Sequence, residues 1–160
     1  MFQELFELSF WLRILFSIIC GMLIGLERQI RGKPIGIRTS ILICLGTMLF
    51  MYLEIKIEEK IGMGMTGHTE LARVLGQIVT GVGFLGAGVI MTREGLVSGV
   101  TSASIVWLLA GIGAAIGLEH YGVALVICII AVSVLTGAHR LEDVFKGLQR
   151  GVHRRKHDET

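Results

Sequence analysis

The sequence predicts an all-α fold: a polytopic membrane bundle of about five transmembrane helices, with the N-terminus outside and the C-terminus cytoplasmic. Three observations carry this. Hydrophobic residues fill 52% of the 160 positions and charged ones only 18%, where a soluble domain carries about a quarter. Uncharged stretches recur at lengths able to cross a hydrocarbon core of about 30 Å as helices. Lys and Arg concentrate in alternate connections, which sets orientation. The length suits one domain.

The first span, 9–26, is apolar except for Arg13, whose long stem can reach the near interface. Glu4 and Glu7 precede it without any Lys or Arg, the reverse of a signal peptide, so it is expected to be retained. The second, 39–53, is uncharged but covers only about 22 Å, so it needs Arg38 and Lys56 to snorkel, or it is re-entrant. The third, 74–92, holds a glycine run in which Gly81, Gly83 and Gly86 spell G-x-G-x-x-G. A dinucleotide site would need a strand before that run and an acidic residue about twenty positions on. In an uncharged run of spanning length the glycines instead let helices approach closely. The fourth and fifth spans are 99–118 and 121–138.

Arg28, Arg31, Lys33 and Arg38 in the first loop, Arg93 in the third, and six basic residues in the 139–160 tail share one side. The other side has Lys56, Lys60 and Arg73, with Arg13 near it. The tail is therefore cytoplasmic. Its Leu141, Val144, Phe145 and Leu148 recur at helical spacing, an amphipathic helix for the membrane surface. Arg154-Arg155-Lys156 serves topology there, and no nucleic-acid partner is expected.

Several positions stand out as candidates. Ser17, Gly21 and Gly25 give the first helix a small face. Glu27 and Arg28 stand at its cytoplasmic end, and a turn around Pro34 leads to Arg38 and Thr39, so that Glu27 is expected to pair with Arg38. Glu70, Arg73 and Gln77 share a face at i, i+3 and i+7, either to bind an ion or seal the outer mouth, or as simple anchors favoured by the helix dipole. Gly81, Gly83, Gly86, Gly88 and Gly99 are expected to pack helices. Thr101, Ser102 and Ser104 can bond to carbonyls one turn back or across to a neighbouring helix, with a polar permeation path as the alternative. Cys20, Cys44 and Cys128 lie within spans as small hydrophobes. The five histidines lack zinc-like spacing, and no nucleophile–base pair is visible, so no enzyme and no catalytic residue is predicted. No acidic residue falls inside the five spans as drawn, which counts against an ion-coupled carrier.

Three ordered strings, GLERQIRGKPIGIRT, RVLGQIVTGVGFLGAGVI and GVTSASIVWLLAGIGAAIG, strongly resemble the MgtC/SapB family of bacterial inner-membrane proteins, from about Arg13 to Gly137. By position the resemblance implies importance for Glu27, Arg28, Gly36, Arg38, Thr39, Arg73, Gln77, Gly83, Gly86, Gly88, Thr101 and Trp107, with Glu94 matching an acidic position in some members. Glu70-Leu71 departs from the Asp-Pro many relatives carry before the arginine. Only a short tail stands where many members have an ACT-like domain, so this is read as a short member. The resemblance further implies magnesium limitation, survival in host cells and, for some members, inhibition of the F-type ATP synthase.

Two functions are therefore expected in competition. One is a non-enzymatic membrane protein of the bacterial inner membrane that modulates magnesium or proton-energy homeostasis. It would act within the lipid bilayer as a homo-oligomer or in a larger complex, the F-type ATP synthase being the partner implied by resemblance. The other is a divalent-cation transporter or channel with Glu27, Glu70 and Glu94 at its mouths. No cofactor is expected; magnesium would enter as effector or substrate, and the residues leave any metal ligands unknown.

Overall fold

The computed structural model describes residues 7–61, 67–93 and 96–138; Glu94 and the amphipathic helix expected in the tail lie outside them. Five helices there are long and apolar enough to cross a membrane: α1 (Leu8–Ile30), α2 (Ile37–Ile61), α3 (Gly67–Val89), α4 (Val100–Gly117) and α5 (Tyr121–Ala138). Between α3 and α4 runs a two-stranded antiparallel ribbon, β1 (Met91–Arg93) and β2 (Leu96–Ser98), with Thr92 opposite Val97. Three-residue strands are too short for alternation to register in sequence.

The expectation of a short second span is corrected by α2. Its spanning segment, Ile37–Lys60, has 24 residues, about 36 Å at the helical rise, so no re-entrant turn is needed. Glu54, Lys56 and Glu58 end the uncharged run without ending the helix. Lys56 Nζ lies 3.1 Å from Glu59 and 3.4 Å from Glu7, so its charge is offset on the spot. The longer helix also draws Glu54 into a span, and α1 includes Glu27. Glu58 and Glu59 fall in the same α2 span and Glu70 opens that of α3, so the expectation of carboxylate-free spans fails at all five.

The outer surface is that of a protein solvated by hydrocarbon. Phe84 is 81% exposed, Ile30 75% and Leu42 68%, a girdle that in water would drive aggregation. The interior is organised by α4, with 56% of its spanning residues buried against 11% for α3. A helix apolar all round belongs at the centre. Its Gly113 and Gly117 receive α2: a Cβ on Gly113 would stand 2.5 Å from the Cys44 carbonyl oxygen, and one on Gly117 2.6 Å from Met51 Cβ. Gly21 and Gly25 do the same for α1, each placing a hypothetical Cβ 2.6 Å from a Cα of α2, Ile41 and Ile37. Ser17 is fully buried on that helix.

The α3 glycines behave otherwise. Around Gly81, Gly83 and Gly88 nothing lies within 4 Å of where a Cβ would be, and Gly86 makes only ordinary contact, 3.7 Å from the Ala103 carbonyl. Gly86 is buried and faces Ala103 of α4, whereas Gly81, Gly83 and Gly88 are exposed and pack against no helix among the described residues, because α3 docks through a narrow strip. Val82 meets Val106 and Ala110 of α4, with Ile78 and Val89 packed alongside, and most of the remaining helix surface is exposed. Gly99 is also not a helix-packing residue. Its φ of 89° is left-handed, and a side chain would overlap the Val89 carbonyl, so glycine is what lets the ribbon turn into α4. Gly99→Ala is expected to cost about 1–2 kcal/mol from the backbone alone and to loosen residues 90–100, visible as faster amide exchange confined to that segment.

Candidate functional site

The site residues fall in three places. At the end carrying the first loop, α1 closes with a Schellman motif: Gly32 N–H donates to Gln29 O (3.1 Å) and Lys33 N–H to Arg28 O (3.0 Å), with Gly32 at φ 61°. The reversal leaves Arg28 only 3% exposed. Its Nε donates to Pro34 O at 3.3 Å and its Nη2 to Ser102 Oγ, so one guanidinium ties α1, the loop and the first turn of α4. Of the roles expected for Ser102, the structure shows the bond across to a neighbouring helix: its hydroxyl oxygen accepts from the buried Arg28 guanidinium of α1.

Glu27 pairs with Arg31 one turn along its own helix, not with Arg38. The i,i+4 partner is held by helix geometry itself, whereas Arg38 and Thr39 are exposed at the start of α2. Glu27 Oε2 is buried without a hydrogen-bond partner among the described residues. The same loop holds Ile35 at φ 65°, an outlier for a β-branched residue. Its side chain packs against both hydrophobic clusters, and that contact holds the strained backbone.

At the opposite end Arg13 does not snorkel outward. It is 5% exposed, its guanidinium carbon 4.8 Å from the Tyr52 ring centre, and its Nη2 donates to Glu119 Oε1 at 2.8 Å. Glu119 stands in a second Schellman motif at the end of α4: its N–H donates to Ile116 O (3.0 Å) and His120 N–H to Ala115 O (2.8 Å), with φ 64°. Glycine usually fills that position; here glutamate does, and its carboxylate answers the buried arginine. An arginine in an apolar run signals a partner at depth. Nothing in sequence points to a partner 106 positions away.

The third place is α3. Glu70 and Arg73 pair with each other, Nε to Oε2 at 2.6 Å. Gln77 is exposed and lines an apolar groove of about 810 Å³ between α2 and α3, with Thr39, Thr47, Glu54 and Gly81 among its walls. Thr101 and Trp107 face outward from α4.

Among the described residues no group of three or more His, Cys, Asp or Glu is placed to hold a metal ion. Magnesium takes one or two carboxylates and keeps several waters. Glu27 and Glu58 each have a buried carboxylate oxygen without a hydrogen bond, so a single-carboxylate contact is the most these residues provide.

The MgtC family profile matches residues 14–144. YhiD of Escherichia coli (strain K12), whose name describes a candidate magnesium transporter, is 37% identical over 141 residues, covering 88% of this chain and 64% of its own. Protein SrpB of Synechococcus elongatus is 34% identical over 140 residues, 82% of this chain and 76% of its own. Protein MgtC of Salmonella typhimurium (strain LT2) is 37% identical over 129 residues, 80% of this chain and 52% of its own. The chain thus spans about half to three quarters of these relatives. No solved structure matches. With five spanning helices and these relatives, the chain is a multi-pass protein of the bacterial inner membrane and belongs to the MgtC family.

Proposed function

We propose that this protein is a non-enzymatic regulator of magnesium or proton-energy homeostasis that acts by docking α3 onto helices of a membrane partner. One observation carries the reading. α3 is the least buried spanning helix, and Ala72, Gly76, Thr80, Gly83 and Ala87 form an exposed stripe along its outer side. Small residues there admit a second backbone, the way helices associate where lipid removes any hydrophobic drive. The names of the relatives supply the link to magnesium, and the F-type ATP synthase is the first partner to probe by family resemblance.

Mild crosslinking in native membranes, followed by purification, tests this. The parent chain should bring down a partner, and Gly83→Leu should lose it while keeping the parent's thermal stability, since the space outside Gly83 is open. Gly21→Leu cannot serve as that control, because it obstructs the bundle itself. Recovery of the chain alone in every case rejects the reading. A second reading, a divalent-cation transporter, is favoured by the unpartnered buried oxygen of Glu27. Vesicles reconstituted with a magnesium-sensitive dye decide it: flux above empty liposomes, abolished by Glu27→Gln, would establish transport, and none would remove it.

A further inference from the structure

We propose that the face of α3 bearing Glu70, Arg73, Gln77 and Gly81 packs against the same face of a second copy of this chain, at the mouth of the α2–α3 groove. The inference rests on the reading of α3 as a docking helix and assigns it a different face from the Gly83 stripe, with this chain itself as occupant.

Gln77 is a polar side chain set within the membrane. It lies seven residues inside the span that starts at Glu70, about 10 Å deep, and its side chain is exposed along the groove. A primary amide carries two donors and an acceptor, and hydrocarbon satisfies none of them. Other outward-facing hydroxyls on the spans solve this locally by donating to the carbonyl one turn back: Thr80 to Gly76 O at 2.9 Å, Ser104 to Val100 O at 3.0 Å and Ser133 to Ile129 O at 2.8 Å. The Gln77 amide has no such bond among the described residues, so its donors and acceptor are open to a group brought to the groove.

The surroundings select the occupant. In a two-fold assembly about the membrane normal each residue near the axis meets its own copy. An amide is complementary to an amide, so Gln77 meets Gln77. One turn away, Arg73 of each copy comes beside Glu70 of the other, so a pair that closes within one chain at 2.6 Å can be shared across the axis. Close approach is possible because nothing lies within 4 Å of a Cβ position on Gly81 or on Gly46 across the groove. An unrelated helix would have to bring a matching amide and both charges; a second copy supplies them by symmetry.

Disulfide crosslinking in membranes tests the arrangement. The native cysteines Cys20, Cys44 and Cys128 are all 0% exposed, so the unsubstituted chain gives a silent baseline. Gln77→Cys and Gly81→Cys should each yield a covalent dimer under oxidation, whereas Val79→Cys, exposed on the far side of the helix, should not. Gln77→Ala should weaken self-association in detergent by roughly three- to ten-fold, and Gln77→Asn should recover part of the loss. Gly81→Cys serves if Gln77→Cys fails to accumulate. Absence of dimer at both positions, equal dimer at Val79, or a product containing only another protein overturns the proposal. Loss of a partner in Gly83→Leu, with no dimer through Gln77, would leave the docking reading standing and remove this one; the converse would do the opposite.

Discussion

Gly21→Leu is expected to leave little folded protein, while Gly83→Ala is expected to match or slightly exceed the parent in stability. At Gly21 the obstruction is backbone: a Cβ would stand 2.6 Å from Ile41 Cα and 2.8 Å from Ile41 N. Overpacking a core usually costs about 1–3 kcal/mol because side chains can shift. A helix axis cannot shift without giving up the surface it buries, so the loss here includes α1–α2 packing and exceeds about 3 kcal/mol. Gly21→Ala should act in the same direction with smaller size. Gly83 meets nothing within 4 Å, and in a helix interior alanine is favoured over glycine by about 0.5–1 kcal/mol. Thermal unfolding in detergent, with the monodisperse yield, reads all three. A Gly21→Ala chain as stable as the parent would refute the close crossing of α1 and α2.

That contrast shows what the sequence could and could not disclose. Five apolar helices were legible because length and absence of charge are local properties, and the family because three strings match in order. The small faces were legible too, but Gly21 and Gly83 look alike until the chain is folded. One faces a neighbouring helix, the other open space, and only tertiary packing decides which. Charge counting locates only the edge of the apolar run in α2, whereas the helix continues where its polar residues find partners, as Lys56 does with Glu7 and Glu59. The turn around Pro34 suggests Arg38 as the partner of Glu27, yet Arg31 is closer by helix geometry and pairs with it. Arg28–Ser102 and Arg13–Glu119 join residues 74 and 106 positions apart. No periodicity reports such pairs.

Glu119→Ala is expected to lower stability by about 2 kcal/mol, Glu119→Gly by about 1, and both losses should vanish or change sign once Arg13 is Met. Stranding a buried charge by removing its partner costs about 3–5 kcal/mol; the Glu119 side chain is 52% exposed against 6% for Arg13, and solvent screening reduces the figure. Alanine keeps the left-handed strain at φ 64° and loses only the carboxylate. Glycine loses the carboxylate but relieves about 1 kcal/mol of that strain. In the Arg13→Met background there is no buried cation to strand, and a flexible apolar side chain can fill the space beside Tyr52. Glu119→Ala should then be near neutral and Glu119→Gly stabilising. Detergent melts of the four chains in the Arg13/Glu119→Gly cycle measure the coupling directly. A glycine variant that destabilises equally in both backgrounds would mean that Glu119 serves the α4–α5 turn rather than Arg13. A sign change would show that the glutamate occupies a glycine position, at a cost to the backbone, because the arginine beneath it needs a counter-charge.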